Sequence, residues 1–173
     1  MNVFKSSGFA VGIMVGLILV VIFFKFANSN HKIRTEYDER QKEIRGRGYM
    51  FGFYAIIIYE CLMMFLGFCG ISVPVEPYFL HFGAILTGCM VLVCHSIWNG
   101  SYFGLNNNPG RYAVVFTFVT ILNAIPFIGA VLRGTLMEDG KPGTPFLNLL
   151  VILMMLIIGA VMLIRKLTDR ETE

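Results

Sequence analysis

The sequence predicts an all-α integral membrane protein, a bundle of about five transmembrane helices with a short amphipathic cytoplasmic helix between the first and second. Three observations predict it. Five apolar runs, residues 9–26, 49–69, 78–98, 112–132 and 146–164, each come close to the roughly 20 residues a helix needs to cross a hydrocarbon core of about 30 Å. Hydrophobic residues make up 56% of the chain and charged residues 14%, with a mean hydropathy of +0.70; an ordinary soluble domain carries about 25% charged residues. The polar stretches between the runs are short, so residues 1–173 read as one membrane domain in contact with the lipid bilayer.

In the first span, Gly8, Gly12 and Gly16 recur every four residues and line one helix face. A second helix backbone can approach closely there, which replaces the hydrophobic drive that lipid does not supply. The face reads as a helix-packing seam, against a membrane-protein partner, a second copy, or another helix of the same chain. A competing reading makes residues 1–29 a signal peptide cleaved near Ala27-Asn28-Ser29. Against it, the run exceeds the roughly 7–15 residues of a signal core and a basic cluster follows it.

The charged connector, residues 27–48, fixes the expected orientation. If it is cytoplasmic, then Lys25, Lys32, Arg34, Arg40, Lys42, Arg45, Arg47, Arg111, Arg165, Lys166 and Arg170 lie inside, and Lys5, Arg133 and Lys141 outside. That is an 11 to 3 division of the 14 basic residues. Basic residues near short loops favour the inside, which predicts an outer amino terminus and a cytoplasmic carboxyl terminus in the cell membrane. Charge distributed in this way orients a membrane protein, and no nucleic-acid partner is expected.

Within the connector, Glu36 and Arg40, Asp38 and Lys42, and Glu43 and Arg47 stand acid-before-base at i, i+4, each pair adding roughly 0.2–0.5 kcal/mol to a helix. Ile33, Tyr37 and Ile44 fall on one face. The segment therefore predicts a short helix lying at the inner interface or docked on a partner, the alternative being a solvated connector, with Tyr37, Asp38, Glu39, Arg40 and Gln41 at its heart and Gly46 and Gly48 ending it.

Two stretches also carry a resemblance. Tyr37-Asp38-Glu39-Arg40-Gln41 followed by Ile44-Arg45-Gly46-Arg47-Gly48-Tyr49, and the loop Tyr102-Phe103-Gly104-Leu105-Asn106 with Asn108-Pro109-Gly110-Arg111-Tyr112, resemble a family of small uncharacterised multi-pass membrane proteins of Gram-positive bacteria. Its members have this acidic-basic segment after the first span. The resemblance implies an integral membrane protein and brings no established activity. Relatives encoded near small transcription regulators imply an accessory or regulatory role.

Glu60 falls near the middle of the second span, where an unpaired carboxylate costs at least a few kcal/mol. Thr87 and Cys89 in the third span, and Thr120 and Asn123 in the fourth, fall near the same depth, and Thr117, Thr120 and Asn123 share a face. Glu60, Thr87, Thr120 and Asn123 thus form a candidate midplane polar site for a proton, a cation or a polar ligand group. The alternative is helix-packing glue, with a neutral Glu60 bonded to Asn123. His81, Gly88 and His95 lie on one stripe with Ala84, a packing seam with a histidine near each interface. Pro126 should kink the fourth span beside Asn123.

Cys61, Cys69, Cys89 and Cys94 all fall inside spans with no CxxC or Cys/His spacing, and read as small core residues. Trp98, Tyr102 and Tyr112 fit an aromatic belt at the inner interface. Residues 134–145 read as a short acidic outer hairpin. No metal-ligand spacing, nucleophile constellation or phosphate loop stands out, so no cofactor and no enzyme activity is expected. The leading expectation is a non-enzymatic accessory or regulatory protein acting through a membrane partner. The runner-up is a small transporter or channel component using Glu60 and Asn123.

Overall fold

The computed structural model describes Ile18 and residues 36–105, 109–138 and 140–171. The first span, with Gly8, Gly12 and Gly16, therefore lies outside the described residues apart from Ile18. The chain divides into two units, Met1–Glu36 and Tyr37–Glu173, and the described residues of the second form four helices: α1 (Glu39–Phe68), α2 (Pro77–Trp98), α3 (Pro109–Arg133) and α4 (Pro145–Glu171). Each is long and apolar enough to cross a membrane. A two-residue hairpin, β1 (Met137–Glu138) with β2 (Lys141–Pro142), joins α3 to α4 and pairs Met137 with Pro142 and Glu138 with Lys141.

The expected separate connector helix is not formed. Residues 39–47 are the first turns of α1, which runs without a break for 30 residues into the second apolar run. The start is set by a capping box: the Asp38 carboxylate accepts from the Gln41 backbone N–H at 2.6 Å, and the Asp38 N–H donates to Gln41 Oε1 at 3.4 Å. Because Asp38 caps the helix, Lys42 pairs instead with Glu39 at 2.6 Å, whereas Glu43 and Arg47 pair at 2.7 Å as their spacing predicts.

Nor do Gly46 and Gly48 end this helix. A Cβ on Gly46 would meet nothing within 4 Å, whereas one on Gly48 would meet Ser96 Oγ at 3.1 Å and Leu92 Cδ1 at 3.2 Å. Gly48 and Gly52 are a G-x-x-x-G pair whose bare face lets α2 approach. A Cβ on Gly52 would lie 2.8 Å from the Gly88 carbonyl oxygen, and one on Gly88 would lie 2.9 Å from the Gly52 oxygen. The expected small-residue stripe of α2 is thus a packing seam, with Ala84 only 1% exposed and Gly88 buried. Its partner is the glycine face of α1.

Beyond this pair, α2 packs on α4 and α4 on α3, so the contact order is α1–α2–α4–α3. Few apolar side chains are enclosed: among the described residues Phe79, Ala84, Ile97, Ala130 and Ile158 are buried. Phe68 and Leu132 stand 83% and 82% exposed. Such outward apolar faces are costly in water and at ease in hydrocarbon.

Candidate functional site

Residues 37–49 and the loop after α2, up to Phe103, meet at one end of the bundle. The local cause is the closure of α2. Gly100, at φ +69°, takes the left-handed turn that lets the Gly100 N–H reach the Ile97 oxygen at 3.0 Å and the Ser101 N–H reach the Ser96 oxygen at 2.8 Å, a Schellman closure. The Ser96 oxygen also accepts the Tyr102 N–H at 3.1 Å and the Ser101 hydroxyl at 3.2 Å. Ser101 is fully buried. This fold of residues 99–103 turns carbonyl oxygens towards the start of α1.

Gln41 and Arg45, one turn apart on α1, take them. Gln41 Nε2 donates to Gly100 O at 3.1 Å and to Phe103 O at 3.3 Å, while its Oε1 serves the capping box. Both halves of the amide are therefore engaged. The Arg45 guanidinium carbon sits 4.3 Å from the centroid of the Tyr37 ring, within cation–π range, and Nη1 donates to Ser101 O over a long 3.5 Å. The Tyr37 hydroxyl reaches Tyr102 O at 3.5 Å. Tyr102 and Tyr112, two members of the expected aromatic belt, pack on Phe103 and on each other, with ring centroids 5.1–5.6 Å apart. Trp98 alone of that trio stays half exposed. Burial pushes the Tyr102 phenol above its ordinary range; Tyr112 adds to this and the Arg45 charge opposes it.

Of the connector residues named from the sequence, Tyr37, Asp38 and Gln41 turn inwards to this assembly or to the cap. Glu39 and Arg40 are exposed, as are Lys42, Glu43 and Arg47. The end of the bundle thus combines a locked interior with a charged outer helix face.

The proposed midplane set is not brought together. Glu60 Oε1 lies 3.1 Å from His81 Nδ1, because α1 and α2 run antiparallel in a register that levels Gly52 with Gly88 and Glu60 with His81. His81 is the fifth residue of the 22-residue α2, so the pair lies towards the end that carries residues 69–76 rather than at mid-depth. Thr87 is six residues further along, about 9 Å at 1.5 Å per residue. Asn123 and Thr120 lie on α3, which packs on the far side of α4. Each polar group closes on its own helix: Thr87 Oγ1 donates to Gly83 O at 2.8 Å, Thr120 Oγ1 to Phe116 O at 2.8 Å, and Asn123 Nδ2 to Val119 O at 2.8 Å. Helix α3 continues through Pro126 to Arg133.

At that same end Lys141 Nζ bonds to Glu76 Oε1 at 2.9 Å, tying the hairpin to the start of α2. The bond and the Glu76 charge hold the Lys141 ammonium above its ordinary pKa. Cys61, Cys69 and Cys89 face outward rather than into the core, and Cys94 is half-buried. Among the described residues, no three His, Cys, Asp or Glu side chains converge as a metal site.

Sequence reasoning missed the Gly48/Gly52 seam and the Glu60–His81 pair. The first was written in the G-x-x-x-G spacing. The second depends on helix register, which no local pattern announces. No family model matches this chain, and no curated protein and no solved structure matches it either.

Proposed function

We propose that this chain is a non-enzymatic multi-pass membrane protein of the accessory or regulatory kind, acting through a membrane partner at its cytoplasmic end. The observation that carries the reading is the assembly of residues 37–49 with 96–105, which holds the exposed charged face of Glu39, Arg40, Glu43 and Arg47 on a fixed base. Thr87, Thr120 and Asn123 support it as well: each bonds to a carbonyl of its own helix. The 11 to 3 division of basic residues supports a cytoplasmic position for this face and an outer one for the hairpin.

The test is cross-linking in native membranes followed by affinity purification. A stoichiometric partner is recovered with the natural chain and lost with Arg40→Glu, while the helix content of the variant is unchanged. Recovery of the chain alone, or of a partner indifferent to Arg40, contradicts the reading. Sidedness is read with single cysteines at the exposed positions Leu105 and Thr144, in a background lacking the four native cysteines. Labelling comes from opposite sides, that at Leu105 from the cytoplasm.

A second reading, a small transporter or channel component, draws on the Glu60–His81 pair, a carboxylate and an imidazole in contact on partly exposed helix faces. Asn123 has no place in its site. It predicts proton or cation flux in liposomes that Glu60→Gln abolishes without unfolding the protein. Flux that survives the substitution excludes it.

A further inference from the structure

A groove of about 600 Å³ runs between α3 and α4. On α3 its wall extends from Gly110 to Ile121 and on α4 from Met155 to Lys166, twelve residues each, which from first to last rise about 16 Å at 1.5 Å per residue. That is close to one leaflet of a hydrocarbon core about 30 Å thick. Ala113 and Gly159 give the groove its width, and its threonines do not make it polar. Thr117 Oγ1 donates to Ala113 O at 2.9 Å and Thr120 Oγ1 to Phe116 O at 2.8 Å, each satisfied on its own helix. The walls present methyl and methylene groups along their length.

The charge lies at one end. Lys166 closes the groove level with Gly110, in the first turn of α3, and forms no hydrogen bond or ion pair among the described residues. Its neighbour Arg165 is engaged by Asp169 at 3.0 Å and by the Trp98 carbonyl at 2.8 Å. An apolar slot one leaflet deep with a free ammonium at its mouth matches one molecular shape, an acyl chain ending in an anionic headgroup.

We infer that the α3–α4 groove is a binding site for one anionic phospholipid, with an acyl chain along Ala113, Thr117, Leu156 and Gly159 and the headgroup phosphate at Lys166. The charge complementarity favours an anionic lipid over a second apolar helix, which would fill the slot but offer no counter-charge to the exposed ammonium. The groove touches the 37–49 assembly only through Phe116, which packs on Tyr102, while Gly159 and Lys166 lie on α4, so their substitution tests this site whether or not that assembly recruits a protein.

The full-length protein in mild detergent, titrated with phosphatidylglycerol and phosphatidylcholine of identical chains, tests the site by native mass spectrometry. One phosphatidylglycerol per chain is retained, in preference to phosphatidylcholine. Gly159→Leu fills the groove, and since a Cβ there meets nothing within 4 Å and leucine favours helix over glycine, the fold is kept. Retention of both lipids falls at least tenfold. Lys166→Gln leaves the slot intact, and the preference for phosphatidylglycerol drops about fivefold, as for one basic residue near an anionic surface. Lipid retention indifferent to both substitutions overturns the site. So does a two-chain particle that Gly159→Leu splits, or a photo-cross-linker at Leu156 that reacts with residues 9–26 or a second copy instead of lipid.

Discussion

The two ends of the α1–α4 bundle are built differently. At the end formed by residues 37–49 and 96–105, side chains from one helix reach main-chain oxygens of a distant loop. An arginine stacks on a tyrosine, and the loop is closed over a fully buried serine. At the other end, one exposed ion pair, Glu76 with Lys141, ties a two-residue hairpin to the start of α2. Hydrogen bonds to partly buried carbonyls are costly to leave unmade, whereas a lone surface ion pair stabilises little. Interlocking contacts are therefore concentrated at the end with the longest run of charged sequence, and the glycine seam adjoins them in the apolar part of the bundle.

The largest expected effect breaks the firm end from below. Gly48→Leu drives a side chain against Ser96, Leu92 and His95 and costs about 1–3 kcal/mol, read as a lower unfolding midpoint in detergent. Gln41→Ala comes next: it removes part of the capping box and both bonds to the loop, costs about 1–2 kcal/mol, and speeds amide exchange in residues 99–103. Gly46→Ala, two residues before the sensitive Gly48, acts in the opposite sense. With open space around it, the added methyl raises stability by about 0.5–1 kcal/mol.

The smallest effect sharpens the comparison through pH. Lys141 and Tyr102 both have pKa values raised in the folded chain. Each contribution is complete below the unfolded value near 10 and is lost as pH rises through the folded one. Both ends therefore loosen as the pH rises into the alkaline range. Glu76→Gln removes the alkaline response at the hairpin and leaves that of residues 99–103 in place, seen by exchange across pH 9–11.

Much of the architecture was legible because bilayer thickness imposes a length that composition reveals. The runs at 78–98, 112–132 and 146–164 lie within α2, α3 and α4, with boundaries at 77–98, 109–133 and 145–171. The start of α1 was hidden by reading Gly46 and Gly48 as stops. Glycine ends a helix where the chain turns left-handed, and it also occurs where two helices must touch; Gly48 does the second. The Asp38–Gln41 spacing of a capping box, legible in the sequence, marks the true beginning.

The candidate polar site was less legible for a different reason. Matching depths by counting along apolar runs assumes that every span is centred alike and that every pair of spans touches. The α1–α2 register moves Glu60 away from Thr87 and onto His81, and α4 stands between α3 and α2. Neither register nor neighbour order is encoded in local periodicity. By contrast, the meeting of residues 37–49 with Tyr102 and Phe103 brings together parts of two stretches that the sequence had already marked as unusual.

The account rests on those two stretches forming one locked end, and amide hydrogen exchange on the intact chain in lipid bilayers tests this most directly. The Ser101 and Tyr102 amides, both bonded to Ser96 O, should exchange far more slowly than those of residues 72–75 at the opposite end and lose that protection in Gln41→Ala. Equal exchange at the two ends of the natural chain, or protection indifferent to Gln41, would contradict it.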